Sequence, residues 1–229
     1  MPYRKPRRTA RRRPTRARRR VRRKRARPRL SGVVGLFGTP TIRRTMRYID
    51  NLTLTSTVGA ISTNVFSANG IYDPNISGTG HQPRWFDQIM PYFNHYCVIG
   101  SKITCTFSHT SNTTATTPIT VGIAKRAIST TEPGMTNYTE NGDCVWKSSP
   151  HNASNRTVSM SFSPRKYFGK KYTVDNYDLK GTIASNPSEQ AFFHVFMDPV
   201  NSSESPSISA QVLIEYVVVF SEPNTVSAS

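Results

Sequence analysis

Arginine is the residue type in this sequence with the most chemistry to offer, and it is crowded at one end. Between residues 1 and 29 stand Arg4, Lys5, Arg7, Arg8, Arg11, Arg12, Arg13, Arg16, Arg18, Arg19, Arg20, Arg22, Arg23, Lys24, Arg25, Arg27 and Arg29, with no acidic residue among them. A guanidinium pairs bidentately with phosphate oxygens, and each phosphate it neutralises releases counterions. The chemistry on offer is sequence-independent binding of a nucleic-acid backbone. A membrane-surface helix would carry a leucine and aromatic face, which this stretch lacks. An acidic protein partner would need an unusually dense negative surface. A short basic cluster also serves as a nuclear-import signal, and one arm can hold both roles.

A second candidate lies at 163–172, SPRKYFGKKY, where Arg165, Lys166, Lys170 and Lys171 flank Tyr167, Phe168 and Tyr172. Cations interleaved with rings suit a single strand, through phosphate contacts and base stacking. The competing reading is a solvated loop whose aromatics pack onto the body. Arg47 and Lys102 extend this surface if their strands are sheet neighbours. No other chemistry assembles. The five histidines (81, 95, 109, 151, 194) have no metal-ligand spacing, and His194, set among aromatics, reads as a packed core residue. Asp175 and Asp178 have no nucleophile or phosphate cradle beside them. The glycines of LSGVVGLFGTP are not followed by the Lys-Ser/Thr of a phosphate loop. The sequence therefore supplies no catalytic set, metal site or cofactor site, and the expectation is not an enzyme. Three cysteines make an odd count. If Cys97 and Cys105 share one strand they stand roughly 26 Å apart, too far for a bridge, so all three read as reduced.

The elements that must position these residues follow from the charge. The formal charge of +18 belongs to the first 47 residues, and the remainder is close to neutral. The reading is an arm at 1–29, disordered on its own through low hydrophobicity and charge repulsion. A glycine-containing hinge follows at 30–42, then a single body at 43–222 and a polar tail at 223–229. No secretory signal and no 18-residue apolar run is present, so membrane insertion is not expected. Seven N-x-S/T sequons read as by-products of a Thr/Ser/Asn-rich β protein. Alternation predicts strands over 45–56, 60–68, 96–108, 119–126, 144–147, 158–162, 192–197 and 208–220. In the third, Cys97, Ile99, Ile103, Cys105 and Phe107 are expected on one face. Phe192 to Met197 is apolar on both faces, as in a strand covered twice. Trp85, Phe86 and Ile89 fall at helical spacing and predict a short helix plugging the core; 128–142 and 164–189 read as loops. Eight strands without crossover helices make an all-β fold, an eight-stranded jelly roll with a disordered arginine-rich arm. An immunoglobulin-like sandwich is weakened by the missing Cys…Trp…Cys spacing.

The arm, GHQPRWFDQIMPYFNHYCVIGSKITCTF at 80–107 and SFSPRKYFGKK at 161–171 together resemble the capsid proteins of circovirus-like circular single-stranded DNA viruses. The resemblance implies a jelly roll assembling into a small icosahedral (T=1) shell of sixty copies, with the arm inward on single-stranded DNA. It also implies import into the host nucleus through host import receptors, so virion and nucleus are the expected locations. The loops that would meet a host attachment receptor depart from the family, and no receptor follows. Sixty arms of seventeen charges would offset about 1,000 phosphates, the order of a small genome. The 165–171 patch is then expected to face the shell interior, with Tyr138, Trp146 and Tyr177 at subunit contacts. The alternative is the capsid protein of a small RNA or satellite virus; a cellular nucleic-acid-binding protein with a basic tail is a third reading.

Overall fold

The computed structural model describes residues 41–78, 80–109, 118–150, 155–169, 173–201 and 203–224. The arm, nearly all of the hinge, Lys170, Lys171 and most of the tail lie outside these residues. Nine strands are present among those described: β1 (Thr41–Thr55), β2 (Ser62–Ser67), β3 (Phe93–His109), β4 (Ile119–Arg126), β5 (Cys144–Ser149), β6 (Arg156–Phe162), β7 (Lys180–Gly181), β8 (Phe192–Pro199) and β9 (Ser207–Pro223). Eight are the strands the alternation predicts; β7 is a two-residue pairing inside the expected 164–189 loop. Three short helices accompany them: α1 (Phe86–Ile89), α2 (Met135–Glu140) and α3 (Pro164–Tyr167). The sequence predicts only the first. The other two are single turns inside loops, too short for a helical period to register.

The strands form two antiparallel sheets, β1-β9-β3-β6 with β7 on β3, and β2-β8-β4-β5. Successive strands mostly change sheet, and the last strand lies between the first and the third. This is a double-sheet jelly roll, as the sequence predicts. The body begins earlier than the expected hinge boundary, because Thr41 and Ile42 already pair with Ser221 and Phe220. It also runs past residue 222, since Pro223 stands opposite Phe93 and Asn224 N donates to the Tyr92 carbonyl at 2.9 Å.

The core lies between the sheets. Met46, Tyr48 and Leu54 of β1 meet Ile208, Val212, Ile214, Tyr216, Val218 and Phe220 of β9, and across from them Val121, Ile123, Phe193, Val195 and Met197. One phase error in the sequence reading has a clear cause. The β3–β9 register slips between Val98 and Gly100, so Ile99 is an extra residue, a β-bulge. Before it Tyr96 and Val98 face the core; after it Ile103, Cys105 and Phe107 do. Cys97 and Ile99 are therefore not on the core face with Cys105. Cys97 lies on the other side, its Sγ 3.4 Å from the Thr173 carbonyl.

β8 is covered twice, as its composition predicts. Phe193, Val195 and Met197 enter the main core, while Phe196 packs with Ala124 under Tyr138 of α2 in a smaller one. The rings of Tyr138 and Phe196 stack at 5.0 Å. Tyr138 is thus 1% exposed and not available at a subunit contact. The 128–142 connection, expected as a plain loop, carries α2, which buries it. His194 is fully buried, as expected: Nε2 donates to the Ile128 carbonyl at 2.8 Å, and Nδ1 accepts from the Tyr138 hydroxyl at 3.1 Å.

Candidate nucleic-acid interface

Arg47 and Lys102 both lie on the outer face of the first sheet. Arg47 on β1 is the cross-strand partner of Glu215 on β9, Glu215 of Lys102 on β3, and Lys102 of Ser161 on β6. These four residues form one row across the sheet. β1 and β3 are not neighbours, as extending the surface required; β9 runs between them. Strand spacing puts the Arg47 and Lys102 backbones about 10 Å apart. Glu215 occupies the interval and accepts from Arg47 Nε at 2.9 Å. One of the two cations is therefore compensated, which the sequence did not reveal. Lys102 is exposed beside it.

The row runs on towards the basic-aromatic patch, since Ser161 precedes Phe162 and then α3. Pro164 opens this single turn, whose missing N–H costs nothing at a first helical position. Arg165 and Lys166 are exposed. The aromatics have other work. Tyr167 and Phe168 stand edge-on to buried Phe162, at 5.4 Å and 6.0 Å between ring centroids, and both pack on the core. The Lys125 ammonium lies 5.5 Å from the Tyr167 ring centroid. Burial raises the Tyr167 hydroxyl pKa above its usual value, and the negative charge of Asp143 adds to the effect. Tyr167 is thus committed to packing rather than presented as an open stacking surface. The exposed groups of this turn are the cations Arg165 and Lys166.

Other basic residues are tied to acids. Lys125 pairs with Asp143 at 3.5 Å, and Arg126 with Glu132. Lys180 pairs with Glu222 at 2.6 Å, and Glu222 also meets His95 at 2.8 Å. Those contacts hold the Glu222 carboxyl below its usual range, Lys180 having the largest effect. No described carboxylate is paired with Arg44 or Arg84, which with Trp85 line hollows beside β1. Trp85 does not plug the core as its spacing predicts; it is 69% exposed, while Phe86 is buried and Ile89 half-buried. Trp146 and Tyr177 are exposed at 49% and 72%. Among the described residues no three of His, Cys, Asp and Glu gather as metal ligands, and no helix is long and apolar enough to cross a membrane.

No family model matches the chain, and no curated protein matches it. Solved structures do. Desmodium yellow mottle tymovirus matches at 10% identity and TM-score 0.40, over 82% of this chain and 93% of that one. The semi-empty virus-like particle of the giant freshwater prawn Macrobrachium rosenbergii nodavirus matches at 10% identity and TM-score 0.45, over 82% and 97%. Mud crab tombus-like virus matches at 9% identity and TM-score 0.41, over 81% and 94%. The assignment of the fold rests on the strand order itself.

Proposed function

We propose that this chain is a viral capsid protein that closes into a small icosahedral shell and packages single-stranded nucleic acid through its basic arm. The observation that carries the reading is the join of two unlike materials in one chain. Seventeen cations without one acid precede a jelly roll whose own charge is near neutral. The arm, residues 1–29, binds phosphate; residues 30 to about 40 form a joint; the roll makes the wall. Arg47 and Lys102 on the outer face of the first sheet, and the cations Arg165, Lys166, Lys170 and Lys171 that follow β6 in sequence, supplement the arm. Two exposed aromatics, Trp146 and Tyr177, suit contacts between copies, where aromatic side chains are enriched.

Single-stranded DNA is the first reading of the cargo, and it rests on the arginine bias and on the resemblance carried by the arm and the 80–107 and 161–171 stretches. Import into the host nucleus through the arm belongs with it. The second reading, the capsid of a small RNA or satellite virus, uses the same arm and the same roll. The named tymovirus, nodavirus and tombus-like particles lend the DNA reading no support.

Purified protein decides between these. Electron microscopy is expected to show closed particles, and nuclease digestion of the extracted cargo names the nucleic acid. Particles whose cargo resists DNase and yields to RNase replace the DNA reading with the RNA one. Protein that stays monomeric with single-stranded DNA and RNA at every salt concentration removes the capsid reading.

A further inference from the structure

Trp85 stands out of the surface where the sequence places a core residue. Its backbone, φ 76° and ψ −3°, is left-handed, a conformation bulky side chains rarely hold. The local turn accounts for the geometry. Phe86 N donates to the Pro83 carbonyl at 3.2 Å, so Trp85 fills the third place of a four-residue turn. In type II turns that place, with φ near +80°, goes to Gly or Asn. Phe86 is fully buried, 5.7 Å from the Tyr96 ring and 6.5 Å from Tyr72, and its anchorage turns the preceding side chain outward. A strained conformation persists where its surroundings over-determine it, and such residues gather at binding sites.

The surroundings are cationic. Trp85 is a shared wall of three adjoining hollows. One, of about 640 Å³, is lined by Arg47, His81 and Arg84, and another, of about 300 Å³, by Arg44 and Ile89. The third, of about 450 Å³, adds Asp87, the only acid among the described lining residues. The His81 ring stacks on Tyr48 at 4.7 Å. Gly80 permits that approach, since a Cβ there would meet the Tyr48 hydroxyl at 2.7 Å. Tyr48 in turn donates to Asp50 at 2.8 Å. His81 is thus held against Tyr48, and the exposed indole lines the same hollows as Arg44, Arg47 and Arg84.

We propose that Trp85 is a base-stacking platform for single-stranded nucleic acid, with Arg44, Arg47 and Arg84 holding the flanking phosphates. The proposal rests on the packaging reading and adds to it a discrete site on the folded body, in place of the rings at 167–168. Stacking on one ring is tolerant of sequence, because every base has a π-face. Arg47 serves half-engaged by Glu215, while Arg44 and Arg84 have no described acidic partner. In sequence, Arg44 lies fifteen residues beyond Arg29, the last cation of the arm.

The test uses full-length protein carrying Trp146→Phe, which leaves Trp85 as the sole indole. A labelled decamer of thymidylate reports binding by anisotropy, while Trp85 fluorescence reports stacking. The decamer is expected to quench Trp85 as it binds, and inorganic polyphosphate, which satisfies the arm but has no bases, is expected not to. Trp85→Gly, a residue that accepts this φ, is expected to fold at least as well. It should weaken decamer binding about tenfold at salt high enough to suppress the arm, the scale of one stacked base. Trp85→Phe should restore part of that loss. A decamer that binds without quenching overturns the platform and leaves packaging intact. Quenching by polyphosphate as particles form also overturns it, and makes Trp85 a contact between copies. A decamer that does not bind at all overturns packaging and the platform together.

Discussion

Arg47 Nε donates to Glu215 Oε1 at 2.9 Å, and the same Glu215 is the cross-strand partner of Lys102. One carboxylate thus sits between two cations on the outer face of the first sheet. The Arg47 and Glu215 side chains are 69% and 37% exposed, so the pair is well screened.

Replacing Glu215 with Gln should therefore barely change stability, because exposed pairs contribute about 1 kcal/mol or less. It should strengthen binding to single strands and steepen the salt dependence by about one phosphate contact. Filter binding across ionic strength reads both. An unchanged slope would place the genome against a different face.

His194 makes stability depend on pH. Burial, the dominant cause, holds its pKa below the usual 6.5, and Arg126 acts in the same direction; Glu132 and the Ile128 carbonyl partly oppose them. The unfolded chain takes up this proton near pH 6.5 while the folded one resists. Stability from this group is complete above that value and falls as pH drops below it, until the folded pKa is reached. His194→Gln should flatten the thermal midpoint between about pH 6.5 and 5, relative to the parent. A parent midpoint already flat over that range would refute the assignment.

The three thiols should be slow to react in the native protein. Burial pushes Cys97 and Cys144 up to about 11, and Cys105 higher still. Only the thiolate is the nucleophile, so labelling at pH 8 should be slow and led by Cys144, which is partly exposed. Denaturant should then release three equivalents at once.

Gly122 sits where β4 passes between β8 and β5. A Cβ there would meet Phe196 Cζ at 2.5 Å and the Val145 carbonyl at 2.9 Å. The carbonyl belongs to the paired strand and cannot swing aside. Gly122→Ala should cost about 1–3 kcal/mol, as overpacking does, and lower the melting temperature measurably. An unchanged temperature would mean that β5 is free to move away.

The sheet framework was legible because alternation is strongest where one face is buried. Val212, Ile214, Tyr216, Val218 and Phe220 gave β9 and its inner face without error. Four features were hidden for separate reasons. Ile99 reads as one more apolar residue, since nothing in its type announces a bulge. Tyr138 reads as a loop aromatic, because the ring it stacks on, Phe196, belongs to a strand far away in sequence. Trp85 shares helical spacing with Phe86 and Ile89, but the turn from Pro83 rotates it out of the pattern. The compensation of Arg47 by Glu215 needs a sheet register, which composition does not contain.

The position of β9 bears on the order of events during synthesis. It holds β1 and β3 together along nearly their whole lengths, yet of the nine strands it leaves the ribosome last. Pairings so distant in sequence are slow to form. The first sheet cannot close until every other strand has been made, whereas the arginines emerge first. A nascent chain is therefore a polycation well before its double sheet is complete. The basic segment is thus complete before the sheet that follows it can close, and any chaperoning of the incomplete sheet must act within that interval.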